Sequence, residues 1–401
     1  MGECRTSAII PPKYKIKKGG RAIRTYKKSF KDIITQVDPV LFFCTLAISG
    51  VSLLTLISGR ETFGMRRIIM QAAMTLVGTV ITFVIANLDY QEIVEKTYVF
   101  MFFGSVIFLA SVLLFGVAEG ENKSWITVVD IGGITISIQP SEFVKASFMV
   151  SFAKHLSTVK GRINNPKSIL GLAIHAGVIV GLILISGDLG VSLVYIGIIA
   201  VMLFCAGMSG WYFAGAVGVV ALAAPFLWDR LATYQKARIL AGFDPDSDPL
   251  GYGLHQIQCR AAISNGGFFG KGTSGSSSYK SLFAADTDCI FATFCEMFGF
   301  FGGIVLIAIY AVIIIRIIYI ARTARKDYGA FICAGVAGMM IIQTVENIGM
   351  NLCMLPVIGI TLPFMSAGGS SVLAIYIIFG MVHSVYARRI KYYSERRQIR
   401  L

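Results

Sequence analysis

Long apolar runs, separated by short polar or glycine- and proline-rich stretches, dominate this chain. Ten of them approach or exceed the roughly 20 residues that a helix needs to cross a bilayer. They fall at 39–59, 68–88, 97–118, 141–158, 168–186, 189–208, 210–228, 289–321, 328–352 and 371–388. The apolar/polar alternation of a membrane barrel is absent. The pattern therefore predicts an all-α polytopic membrane protein of about ten transmembrane helices. The fourth to sixth runs are the weakest, because Lys145, His175 and Asp188 interrupt or border them.

Three interruptions stand out. The stretch 119–140 carries Trp125 and alternating apolar residues, which predicts a short hairpin at the membrane surface. Between the seventh and eighth helices, residues 229–288 form a loop of about sixty residues. Loops of that length inside a compact domain are usually functional or disordered, and the glycine, aromatic and apolar content favours a folded one. Residues 355–371 read LPVIGITLPFMSAGGSS. Pro356 and Pro363 remove helix donors, while Gly359, Gly368 and Gly369 favour bends, so no helix runs through. Non-helical backbone at membrane depth survives only where protein or a water-filled cavity satisfies it. An ordinary inter-helix loop is the plainer alternative.

Composition agrees with this picture, at 55% hydrophobic and 14% charged residues. Mean hydropathy is +0.72. The net charge of +14 is concentrated at the ends, with ten Lys/Arg in the first 38 residues and six more at 388–400. Basic residues beside membrane spans mark the cytoplasmic side and meet anionic lipid, which outweighs a nucleic-acid reading. With ten spans both termini lie in the cytoplasm, and the basic loops 154–167 and 322–326 fall on the same side. The organisation is thus a basic arm at 1–38, one membrane domain at 39–388 with its large extracytoplasmic loop at 229–288, and a basic tail at 389–401. Arg60, Arg66 and Arg67 break the rule by lying outside. Arg66 and Arg67 are there candidate binders of a lipid phosphate.

No internal repeat of the kind many transporters carry is visible. The eight cysteines are scattered with no zinc-like spacing, and disulfides are not expected to hold the fold. Cys259, Cys289 and Cys353 face the outer side, but nothing in the sequence pairs them. The four histidines are far apart, and no catalytic histidine is expected.

Candidate chemistry concentrates at the end of the long loop. Asp288 sits where the loop enters the eighth span, with Asp286 before it and Glu296 eight residues on. An aspartate there either caps a helix N-terminus or serves as a general base in a partly dry cavity. Asp286 is a rival base, since two neighbouring aspartates perturb each other's titration. Earlier in the loop, Asp244, Asp246 and Asp248 alternate. A calcium hand fails there, because the chain has Pro249 and His255 where that loop needs Gly and Glu. The glycine-rich run ending at Lys271 does not have phosphate-loop spacing. Within the spans, Glu142 and Lys145 are three apart and able to pair, and Gln343, Glu346 and Asn347 share one helical face.

These stretches together resemble the SEDS (shape, elongation, division and sporulation) family of polytopic peptidoglycan glycosyltransferases. The resemblance runs from about Val40 to Arg389. It rests on 355–371, on Gln139-Pro140-Ser141-Glu142-x-x-Lys145, on Asp188-Leu189-Gly190 and on Asn347-Ile348-Gly349. It rests also on Tyr234-Gln235-x-x-Arg238 before an Asp-Pro pair, on the glycine run 266–272, and on Thr287-Asp288-Cys289-Ile290-Phe291-Ala292. Asp286 stands where the family pattern has His, and Met297 where a second acid is common.

The resemblance implies that lipid II is polymerised into glycan strands at the outer face of the bacterial cytoplasmic membrane. Asp288 takes the catalytic position and Glu296 that of a downstream acid. Arg66, Arg67, Glu142, Lys145, Lys236, Arg238, Asn347, Ser366 and Ser370 become candidate substrate contacts. It also implies a class B penicillin-binding protein as transpeptidase partner, and leaves a divalent cation, Mg2+ or Mn2+, as a candidate cofactor. A lipid II flippase or polyprenyl-lipid transporter is the alternative that intramembrane polar residues equally support.

Overall fold

The computed structural model describes residues 36–119, 122–131, 134–230 and 233–389. Nearly all of both basic arms lies outside these residues.

Each of the ten predicted runs coincides with a helix, and several start where the sequence provides a cap. Helix α1 (Pro39–Ser58) begins with Pro39 in its first turn and Asp38 accepting from the Leu41 amide. Helices α2 (Met65–Asn87) and α3 (Tyr90–Phe115) follow, the latter capped by Asp89. Strands β1 (Val117–Glu119), β2 (Asn122–Ile131) and β3 (Ile134–Ile138) come next. They pair antiparallel in that order, with Thr127 opposite Ser137. The surface hairpin expected from alternation is therefore present.

Helices α4 (Pro140–Val159) and α5 (Pro166–Ile185) again start on proline. Asp188 caps α6 (Leu189–Cys205) through the Val191 amide. Helix α7 (Gly210–Arg230) leads into the long loop, which contains α8 (Thr233–Phe243) and α9 (Leu254–Gly266). Three long helices close the fold: α10 (Ile290–Arg322), α11 (Asp327–Asn351) and α12 (Gly369–Ala387).

Seven helices, α1, α2, α3, α5, α10, α11 and α12, are long and apolar enough to cross a membrane. Helix α6 is a shorter apolar helix, and α7 carries an apolar stretch over Gly210–Phe226. Helix α4 falls short through its charges, yet is heavily buried. The most enclosed apolar windows belong to α11 and α12, 78% and 72% buried, which places them at the centre of the bundle. There α11 packs on α6, α10 and α4, while α12 packs on α2. At one end, Arg316 of α10 pairs with buried Asp38 at 2.7 Å, and His383 of α12 accepts from the Asp38 amide.

The eighth run differs from its prediction as a single span. Its helix is interrupted at Gly299, whose φ of +73° and ψ of −175° are not helical. The break is filled from outside, because Phe300 and Phe301 donate to the carbonyls of Gly267 and Phe268 at 2.9 and 3.1 Å. A side chain at Gly299 would meet the Gly270 nitrogen at 2.3 Å, so only glycine fits. Residues 290–298 thus form a short helical lead-in, and 300–322 remain as a membrane-length helix of about 34 Å.

Around that lead-in the long loop folds into a cap with its own apolar core. Cys259, Ala262, Tyr279, Leu282, Ala285, Cys289, Ala292 and Met297 make up this core, apart from the main one.

Candidate active site

Asp288 is held by its main chain before its side chain does anything. The Asp288 carbonyl accepts from Asn347 Nδ2 at 2.9 Å and from Asn351 Nδ2 at 3.0 Å, both on α11. One residue back, the Thr287 carbonyl accepts from Ser366 Oγ at 2.7 Å, and Ala367 donates to the Asp286 carbonyl at 2.8 Å. Three consecutive carbonyls are therefore pinned by α11 and the proline-broken segment. This fixes the direction in which the Asp288 carboxylate leaves the chain.

The proline-broken segment is non-helical from Leu355 to Gly368. Its carbonyls are satisfied by protein: Gln256 reaches Leu355 at 2.7 Å, Asn347 reaches Ile360 at 2.8 Å, and Tyr310 reaches Pro363 at 2.6 Å. Ser52 reaches Met365 at 2.6 Å. Phe364 adopts a φ of +62°, a left-handed conformation that costs a bulky residue about 1–3 kcal/mol. The rings of Tyr376 and Phe379, edge-on at 5.0 and 4.7 Å, hold it there.

The Asp288 carboxylate lies on the wall of a cleft of about 660 Å³. Tyr252, His255, Gln256 and Phe283 of the cap line it, together with Val357 and Gly359 of the proline-broken segment. Among the described residues, no side chain hydrogen-bonds to or pairs with that carboxylate. Burial, and then the charge of Asp286, push its pKa up to about 6. Asp286 is placed differently, its carboxylate engaged by Arg67 across the cap. The two rivals are thus separated by geometry: Asp286 is spoken for and Asp288 faces the cleft.

Glu346 of α11 sits beside this arrangement. It is almost fully buried, and among the described residues neither of its carboxylate oxygens has a hydrogen-bond partner. Its neighbour Asn347 grips Asp288, and the two acidic side chains feel each other's charge.

The remaining predicted residues divide into groups. Lys145 and Glu142 pair at 2.7 Å inside the bundle, where Gln343 and Ser366 also line a space with room for about one water, ≈10 Å³. Asp188 joins them from α6, accepting from Gln139 at 2.9 Å, and burial raises its pKa. Gly190 lies so near that an added Cβ would meet the Ile358 carbonyl at 2.4 Å. The motifs around Glu142, Asp188 and Pro356 thus converge on one core that backs the cleft.

Glu296 is not on the cleft wall. It is fully buried and accepts from the Ser277 and Ser278 amides at 3.1 and 3.0 Å and from Ser278 Oγ at 2.8 Å. It therefore tethers the cap. Asn347 and Ser366, expected to contact substrate, use their donors on main-chain carbonyls and position the loop instead. Ser370 is buried in the first turn of α12. Arg66 is exposed next to Arg67. Lys236 lies over the Trp228 ring at 5.9 Å, away from the cleft lining. Arg238 is on α8, and its side chain lies outside the described residues.

Two juxtapositions were not visible in the sequence. Cys259 and Cys289 form a disulfide, and His255 Nε2 lies 3.1 Å from the Cys289 sulfur. His255, Cys259 and Cys289 meet within the span of a metal site, but the sulfurs are bonded to each other. His155 and His175 also touch, at 3.2 Å, among aromatic rings of α3 and α4. A fixed linear spacing could not have announced either, because separate helices bring the partners together.

Fold and site define a polytopic helical membrane protein whose folded cap borders a carboxylate-bearing cleft. Residues 33–391 match the cell cycle protein family of FtsW, RodA and SpoVE, and the chain belongs to that family. The peptidoglycan glycosyltransferase MrdB of Escherichia coli strain K12 is 32% identical over 371 residues, covering 90% of this chain and 96% of that protein. The stage V sporulation protein E of Bacillus subtilis strain 168 is 34% identical over 325 residues, covering 77% of this chain and 84% of that protein. A similar solved chain comes from work described as structural coordination of polymerization and crosslinking by a peptidoglycan synthase complex. It is 27% identical, with a TM-score of 0.77, and covers 88% of this chain and 99% of its own.

Proposed function

We propose that this protein is a peptidoglycan glycosyltransferase that polymerises lipid II into glycan strands at the outer face of the bacterial cytoplasmic membrane. The observation that carries this reading is the Asp288 carboxylate, clamped by its main chain, without a partner among the described residues, and facing a cleft. A base works best when its pKa lies near the working pH, and Asp288 at about 6 is poised for that.

In this mechanism Asp288 takes the proton of the acceptor's GlcNAc 4-hydroxyl. The oxygen attacks the anomeric carbon of the donor, and undecaprenyl pyrophosphate leaves from the opposite face, so the anomer inverts. The half-exposed Arg67, paired with Asp286 two residues from Asp288, and its neighbour Arg66 are the proposed cations for the departing pyrophosphate, and Lys236 and Arg238 come to it only as the resemblance implies. The long loop is then extracytoplasmic and both termini are cytoplasmic.

Asp288 and Glu346 also fit a divalent cation. Hard oxygen donors suit Mg2+ or Mn2+, and Glu346 has two buried oxygens without partners among the described residues. When bound, the ion supplies positive charge to the pyrophosphate. Crosslinking requires a partner, for which a class B penicillin-binding protein is proposed, in keeping with the complex that the solved relative comes from.

The test is a glycan ladder on a gel from purified protein, lipid II and such a partner. Wild type is expected to give a ladder and Asp288→Ala none. A partner-bound wild type that makes no glycan, yet moves lipid II across vesicles, would shift the assignment to transport.

A further inference from the structure

Cys289 follows Asp288 directly, and its sulfur is bonded to Cys259 on α9. Both sulfurs are in the core of the cap, with Cys259 1% exposed and Cys289 fully buried. One turn before Cys259 on the same helix, His255 lines the same cleft as Asp288 and touches the Cys289 sulfur. The bond therefore joins α9, which supplies His255, Gln256 and Gln258 to the cleft lining, to the residue that follows Asp288.

The side-chain hydrogen bonds to the Thr287 and Asp288 carbonyls come from the bundle side, from Ser366, Asn347 and Asn351. On the cap side, α9 is tied to the proline-broken segment by Gln256, which donates to the carbonyls of Gly242 and Leu355. Hydrogen bonds of that kind hold α9 near the bundle. The disulfide alone fixes α9 covalently to the chain beside the base.

We infer that the Cys259–Cys289 disulfide is a positioning element of the active site, setting the distance between His255 of α9 and the Asp288 carboxylate. This rests on the glycosyltransferase reading above. Reduction by an external thiol opens it in two exchanges. The first thiolate bonds to Cys259 and releases Cys289 as a thiolate, which takes its proton from solvent as the cap opens. A second external thiolate then takes the first as a free disulfide and releases Cys259. The clamped main chain stays in place, but α9 loses its covalent tie to it.

The test compares the full-length protein with its partner, oxidised and after dithiothreitol, alongside the Cys259→Ser/Cys289→Ser double variant. Peptide mapping without reductant is expected to find residues 259 and 289 crosslinked. Reduction is expected to lower kcat on the order of 10- to 100-fold while the KM for lipid II holds, and reoxidation to restore it. A loss of fold would instead abolish binding as well. Hydrogen exchange is read in parallel, and amides at 254–266 and 284–292 are expected to exchange faster once reduced. Unchanged exchange there, equal kcat in both redox states, or free thiols in protein kept from reductant overturns the inference. If no form makes glycan, the proposed function fails while the exchange measurement still decides the role of the disulfide.

Discussion

Two aspartates two residues apart have different fates because their side chains leave an immobilised backbone in different directions. Asp286 meets Arg67, and Asp288 meets a cleft. The sequence showed both candidates and the helix start that gives Asp288 its place. It could not choose between them, because Arg67 lies 219 residues away and its pairing is a tertiary event. A cost follows from the burial. Asp288 has a pKa of about 6 in the fold against an ordinary value of about 3.9, so the folded state disfavours its charge. The stability present below pH 4 is lost as pH rises through about 6, by roughly 3 kcal/mol. Asp288→Asn is therefore expected to raise the melting temperature at pH 7.5 relative to wild type and to close that gap at pH 4. Thermal unfolding in detergent at both pH values checks it.

At the scale of elements, helix starts were legible because prolines and capping residues are local signals, as at Pro39, Pro140 and Asp188. The break at Gly299 was not, since an isolated glycine inside an apolar run looks like any other until Gly267 and Phe268 supply the missing partners. The partners of Glu296 were hidden for a similar reason. Its position downstream of Asp288 implied chemistry, whereas the Ser277 and Ser278 amides it accepts from belong to a loop that no local pattern places there. The pairing of Glu142 with Lys145 was readable, because both lie on one helix three residues apart. Removing one partner leaves the other charge buried alone, which costs about 3–5 kcal/mol. Lys145→Met is expected to lose that much, and Glu142→Gln/Lys145→Met to recover most of it. Denaturation of the two variants, compared with Glu142→Gln, measures the coupling.

For the whole molecule, apolar run length predicted the bundle, while the cap escaped it. The cap is built from a small apolar core and a disulfide whose members are 30 residues apart. Its position over the lead-in to α10 is what turns a row of membrane helices into a cleft-bearing site. The orientation proposed here has a direct consequence. A cysteine placed at exposed Leu250 in the cap should react with a membrane-impermeant maleimide in intact cells, and one at Lys326 should react only after permeabilisation. The opposite labelling pattern would put the cleft on the cytoplasmic side and remove it from the outer leaflet.

The central claim, that Asp288 acts as the general base, is tested most directly by the rate of glycan polymerisation against pH. The carboxylate must be ionised to accept a proton, so the rate should fall about tenfold per unit below the pKa of Asp288. Half-maximal rate is expected near pH 6 for the partner-bound wild type. Asp286→Asn removes the like charge beside Asp288 and should move that midpoint lower. A rate that stays flat from pH 5 to pH 8 would contradict the account.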